Sequence, residues 1–208
     1  GRVQSVQQAI TYLGTREVAA VTFEMGLKAV FPTAPELDPV WERASARGLL
    51  MGRIGQAIGV DPWASHSAGL FEECGKAVLF RHAPQRYKPL LRAAENDEDL
   101  LLLEHDEFGV SHDALGAALC ETWGLGLGAV ASVRHHVTAQ GLLELPGPPA
   151  RRSVLALSVI VAAMMTVPPS VDEVAPEIAP QADLDTTLVL RAARRLVEQL
   201  QASQEHGR

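Results

Sequence analysis

An all-α fold is the class this 208-residue sequence predicts, on three observations. Apolar residues recur at intervals of three and four along most of the chain, the spacing of one helical face. Gly, Pro, Ser and Asp stand where those runs start and stop. Aromatic residues make up only 5% of the chain, so the core must be aliphatic and Ala-rich, which suits close-packed helices. No segment shows the sustained alternation of a half-buried strand, and no internal repeat is present.

The elements follow in order. Val3 to Leu13 has Val3, Val6, Ile10 and Leu13 on one helical face, with Gly14 as its stop. Thr15 to Phe31 is a second helix, ended by Phe31-Pro32. Pro35 to Gly59 is a long helix in which Gly48, Gly52, Gly55 and Gly59 fall along one face. Each interior glycine costs about 1 kcal/mol against alanine, so close approach of a second helix is expected there as compensation. Asp61-Pro62 is a strong start, with Asp as N-cap and Pro at the first helical position. The helix it opens is expected to run unbroken to about His82.

Pro84 separates a short helix, Tyr87 to Glu95, and the acids of Asn96-Asp97-Glu98-Asp99 suit the N-terminus of a helix from Leu100 to Phe108. Ser111 caps His112 to Trp123, which Gly124 ends, and Gly128 to Gln140 carries His135-His136. Trp123 is expected as a core anchor, and the acidic run Glu104 to Glu107 as a solvated helix end. After the loop Leu145 to Pro149, Arg151 to Thr166 is a buried core helix. Val167 to Asp183 holds four prolines and reads as an extended connector, before an amphipathic helix from Leu184 to Gln204.

Composition narrows the function classes. With 47% hydrophobic and 21% charged residues, the chain has the profile of an ordinary globular protein and can bury a full core without staples. A net charge of −7 argues against a broad nucleic-acid footprint. The longest uncharged run, Ser153 to Val171, is interrupted by Pro168-Pro169, and its apolar part falls short of the ~20 residues that span a bilayer. Cys74 and Cys120 lie in apolar helical runs without metal-ligand spacing, as reduced core thiols of a cytoplasmic protein would. No signal peptide is evident.

Ala68 to Phe80, AGLFEECGKAVLF, organises the chain. Its adjacent carboxylates, Glu72 and Glu73, sit among Leu70, Phe71, Cys74, Ala77, Val78 and Leu79, where an unpaired charge is costly. The segment resembles the GLLHDIGK stretch of HD-superfamily phosphohydrolases, with Glu72-Glu73 in place of the His-Asp pair. EHDEFGVSHDALGAALCETWGL (Glu104 to Leu125), VRHH (Val133 to His136) and VQSVQQAITYLG near the start follow the spacing of the HDOD family, the HD-related output domain of bacterial signalling proteins. The likeness covers about residues 3–140 and implies a multi-helix HD-like bundle, expected here as a single domain over 1–208. The VQSVQQAITYLG segment lies well inside the family's pattern, so the sequence either begins partway into it or is a shortened version.

In catalytic HD enzymes the resemblance implies a metal centre, which holds a divalent cation with several N/O ligands and keeps a position open for water. His112 stands where such enzymes place a metal-binding His, and His135-His136 match their His-His step. The helix Pro35–Gly59, expected to bring an early His, has none; Arg151 to Thr166, expected to bring a late Asp, has no acid. The expectation is therefore a vestigial polar network of Glu72, Glu73, Lys76, His112, His135 and His136, with no catalytic residue, metal or cofactor. Within it Glu72 or Glu73 is satisfied by His112, His136 or Lys76. Adjacent residues on a helix point ~100° apart, so His135 and His136 do not both face one centre.

What the resemblance implies is a non-catalytic signal-transduction domain, cytoplasmic, working through protein partners or fused signalling domains and not through nucleic acid or membrane. The alternatives are a divergent metal-dependent phosphohydrolase on nucleotides or cyclic nucleotides, and a sensor that binds a small nucleotide without hydrolysis.

Overall fold

The computed structural model describes residues 15–31, 33–148 and 151–206, and every regular element among them is helical. In order these are α1 (Thr15–Val30), a 3-10 turn (Pro35–Leu37), α2 (Asp38–Ile58), α3 (Pro62–Phe71), α4 (Cys74–His82), α5 (Pro84–Ala93) and α6 (Asp97–Phe108). There follow α7 (His112–Thr122), α8 (Leu127–Leu142), α9 (Arg152–Met165), α10 (Val171–Ile178), a second 3-10 turn (Ala179–Ala182) and α11 (Thr186–His206). The helix expected over Val3 to Leu13 lies outside the described residues.

Helices α2 and α3 form a tight hairpin. Gly59 turns the chain with φ 81, a left-handed conformation, and its N–H bonds back to the Gly55 carbonyl. Asp61 then caps α3, its Oδ1 accepting from the N–H groups of Trp63 at 2.8 Å and Ala64 at 3.1 Å. The expected glycine groove is where α3 docks. A Cβ at Gly48 would lie 3.1 Å from the His66 carbonyl oxygen, and one at Gly55 would lie 2.8 Å from Ser65 Oγ. Gly59 belongs to the cap and not to that groove.

The helix expected to run unbroken from Pro62 to His82 is two helices, with a buried turn at Glu72-Glu73. Two close backbone contacts explain the break. On α3, a Cβ at Gly69 would come 2.7 Å from the backbone of Arg47 and Gly48. On α4, a Cβ at Gly75 would overlap the His112 carbonyl and lie 2.9 Å from Gly116 N. Each half is pressed against a different neighbour, so the chain changes direction between them. The turn leaves both glutamates pointing into the interior.

Helix α9 is the hub of the core, with Leu155, Leu157, Ile160 and Val161 essentially inaccessible. It packs on Met51 and Ile54 of α2, and on Ile178 and Val189 near the C-terminus. The segment read as an extended connector instead contains α10 and a 3-10 turn. Val171, Ala175 and Ile178 form a buried stripe, and their burial outweighs the break expected at Pro176 inside the helix. A smaller cluster joins Phe71, Cys74, Ala117, Cys120 and Val133, where both thiols are buried and unoxidised. Trp123 packs edge-on against Phe71 at 5.4 Å but is 38% exposed, so it covers the cluster's rim and is not the core anchor expected. His66 is partly buried, whereas His82 and His105 are exposed.

Candidate functional site

The interior turn at Glu72-Glu73 is lined by α2, α8 and α9. Glu72 and Glu73 are each 1% exposed. Glu72 accepts from Ser158 Oγ of α9, from Gln140 Nε2 of α8 at 3.1 Å and from Arg47 Nη1 of α2 at 3.1 Å. Glu73 accepts from Arg43 Nε at 2.8 Å and Nη2 at 2.5 Å, the two-pronged fit of a guanidinium to a carboxylate. It also accepts from Arg47 Nη1 at 3.1 Å and Lys76 Nζ at 2.9 Å. Arg43 and Arg47 are four apart on α2, so both reach the same side. Lys76 bridges onward to Asp97 Oδ1 at 2.6 Å.

Three buried or half-buried carboxylates (Glu72, Glu73, Asp97) thus meet three cations (Arg43, Arg47, Lys76). Burial pushes the Glu73 carboxyl up, but Lys76, Arg43 and Arg47 overcome it and hold the group well below its ordinary 4.5. Asp97 is likewise lowered, with burial opposed chiefly by Lys76.

A second group lies beside the first. Glu104 is fully buried, and its Oε2 receives His112 N at 2.7 Å and His112 Nδ1 at 2.8 Å, while Tyr87 donates its hydroxyl to Oε1. His136 Nδ1 bonds the Val133 carbonyl at 2.8 Å. Burial lowers its pKa from the ordinary 6.5, so its ring is neutral near pH 7. The His112 and His136 rings stand 5.7 Å apart, and the Nε2 of each is buried without a hydrogen-bond partner among the described residues. One ligand atom each from Asp97, His112 and His136 fall within 4.8 Å of one another.

Five of the six expected site residues, Glu72, Glu73, Lys76, His112 and His136, lie in these two groups. His135 is partly exposed on the next face of α8 and belongs to neither. The pairing is the expected one for Lys76, which bonds Glu73, and differs for the two histidines. Arginines neutralise the two glutamates, and His112 pairs with Glu104. Glu104 is therefore no solvated helix end: it stands four residues after buried Leu100, on the inward face of α6. Arg47, between Ala44 and Met51 on the buried stripe of α2, carried a similar signal, as did Ser158 in the apolar run of α9. Asp97 carried none, because an acid at a helix start already has a sufficient explanation.

The model of the HDOD domain family matches residues 1–139, about two-thirds of the sequence. The chain belongs to the HDOD family. Solved structures share the HDOD fold at low identity. A candidate phosphohydrolase of Shewanella amazonensis superposes with a TM-score of 0.69 at 16% identity, over 93% of this chain and 73% of that one. A candidate signal-transduction protein of Marinobacter aquaeolei gives 0.71 at 21%, over 95% of this chain and 46% of that one. An HDOD domain protein of unknown function from Geobacter sulfurreducens gives 0.69 at 16%, over 98% and 74%. No curated protein matches.

The hydrolytic metal of HD enzymes does not fit at Glu72-Glu73 of this HDOD domain. All four carboxylate oxygens already receive donors, among them two arginines and a lysine, and a divalent cation there would be surrounded by positive charge. The two helices expected to bring an early His and a late Asp bring Arg47 and Ser158 instead, both onto Glu72.

Proposed function

We propose that this HDOD chain is a regulatory signal-transduction module, a single helical domain that works through protein contacts and not through hydrolysis. The observation that carries the reading is the closed ion network at Glu72-Glu73. Arg43, Arg47 and Lys76 supply there the positive charge that a cation supplies in hydrolases, and they engage carboxylate oxygens that would otherwise be free to ligate one. The family match and a signal-transduction neighbour of similar fold support the regulatory side. Among the described residues no helix is long and apolar enough to cross a membrane.

The test is a hydrolysis panel of nucleotides, cyclic nucleotides and cyclic dinucleotides with Mn2+, Fe2+ and Zn2+. No turnover above background is expected. Cross-linking in the native cells is expected to join the chain to a signalling protein. Turnover that His112→Ala abolishes would replace this reading with that of a divergent phosphohydrolase. Saturable binding of a cyclic dinucleotide without turnover would make the domain a ligand sensor.

A further inference from the structure

We infer that Asp97, His112 and His136 form a three-ligand site for a divalent cation of the first transition row, distinct from the Glu72-Glu73 turn. Three features carry the assignment. First, both imidazoles are fully buried and present an Nε2 that bonds nothing among the described residues. A buried nitrogen without a partner is costly to keep unless something occupies the space beside it. Second, each ring is held by its other nitrogen, His112 Nδ1 on the Glu104 carboxylate and His136 Nδ1 on the Val133 carbonyl. That is how proteins aim Nε2 at a metal, with a carboxylate or carbonyl fixing tautomer and ring plane. Third, the Asp97 carboxylate lies within 4.8 Å of ligand atoms of both rings. Two imidazoles and one carboxylate suit zinc, iron or nickel and leave coordination positions for water.

Ligands bound at about 2.1 Å to a tetrahedral ion stand ~3.4 Å apart, so the trio must draw together by on the order of 1 Å. Lys76 is the competitor. Its ammonium lies 2.6 Å from Asp97 Oδ1 and also 2.9 Å from Glu73 Oε2, so it can release Asp97 and remain paired with Glu73. Asp97, 35% exposed in its side chain, is the open end through which an ion enters. No hydrolytic step is assigned to the site.

Cobalt(II) titration of the metal-stripped chain tests this, since bound cobalt absorbs in the visible according to its ligand set. One equivalent is expected with a histidine-type spectrum. Asp97→Asn and His136→Ala are each expected to weaken binding by about 100-fold or more, since ligand loss exceeds the 10- to 100-fold effect of outer-shell changes. Lys76→Met is expected to tighten it by about tenfold, as a competing charge is removed. Circular dichroism verifies folding. If His136→Ala does not fold, the half-exposed Asp97→Asn variant decides. No uptake by the folded chain at millimolar cobalt, or uptake unchanged in Asp97→Asn, overturns the assignment. The regulatory reading is separate: metal bound without turnover leaves both standing, whereas turnover removes that reading alone.

Discussion

Arg47 Nη1 lies 3.1 Å from an oxygen of Glu72 and 3.1 Å from an oxygen of Glu73, so one guanidinium nitrogen links two adjacent buried carboxylates. Arg43 and Lys76 complete the set around Glu73, but among the described residues only Arg47 touches both acids. Removing it leaves Glu72 with two neutral donors and no cation. Arg47→Met is therefore expected to destabilise the fold by about 3–5 kcal/mol, the range for breaking a buried ion pair from one side. Urea unfolding measures it. Adding Glu72→Gln should recover part of the loss, because a neutral amide tolerates burial better than a lone carboxylate. A double variant no more stable than the single one would show that Arg47 acts through packing and not charge.

Tyr87 and Glu104 support His112 from the opposite side. Tyr87 is fully buried and donates its hydroxyl to Glu104 Oε1, while the other carboxylate oxygen holds His112. Burial pushes the Tyr87 phenol far above its ordinary value, and the Glu104 charge adds to this, so it remains a donor at every accessible pH. Tyr87→Phe keeps the ring, which packs edge-on against Phe108 at 6.2 Å, and deletes only the donor. A loss of about 1–3 kcal/mol is expected from the unsatisfied carboxylate oxygen, read as a shift of the urea midpoint with unchanged slope.

How much of this was legible in the sequence depends on which kind of contact carried it. Helices whose apolar stripes face one neighbour were readable, since period and caps suffice: Asp61-Pro62 starts α3, and Gly124, left-handed at φ 74, follows the end of α7. The turn at Glu72-Glu73 was not, because Gly69 and Gly75 owe their places to contacts with Arg47-Gly48 and His112, distant in sequence. The same holds for the site. That Glu72 and Glu73 needed partners followed from their apolar surroundings. Lys76, three residues on, was a legible partner; that Arg43 and Arg47 join it follows only from the docking of α2 on α3, and Pro176 does not break α10 because the burial of Ile178 outweighs a local preference.

The glycines separate these effects. Gly75→Ala places a methyl into the His112 carbonyl, which forces α4 away from α7 and from the site beside it. A destabilisation of several kcal/mol is expected, on the scale of severe overpacking or above it. Gly26 in α1 has nothing among the described residues within 4 Å of an added Cβ, so Gly26→Ala should stabilise by about 0.5–1 kcal/mol through helix propensity alone. Thermal unfolding of the two variants should move in opposite directions. If Gly75→Ala melted with the parent, the close contact between α4 and α7 would not exist.

The pH dependence of stability follows from two groups with a common sign. Burial holds the native His136 below its ordinary 6.5, so as pH falls below 6.5 the unfolded chain takes up that proton first. Glu73, held well below 4.5 by Lys76, Arg43 and Arg47 against the opposing effect of burial, repeats this at lower pH: the unfolded carboxyl is protonated while the native one is still charged. In both windows the unfolded state binds more protons, so stability falls as pH falls. The contribution of Glu73 is complete above about 4.5 and is lost toward its lower native value; that of His136 is complete above about 6.5. Urea midpoints measured in chelator at pH 7.5, 6, 5 and 4 should therefore decline at every step. His136→Phe, which has nothing to protonate, should flatten the step between 7.5 and 6 while leaving the acid limb intact. A wild-type profile level from 7.5 down to 5 would mean that the His136 ring takes up its proton as readily in the folded chain as in the unfolded one, against the burial that the packing of α8 imposes on it.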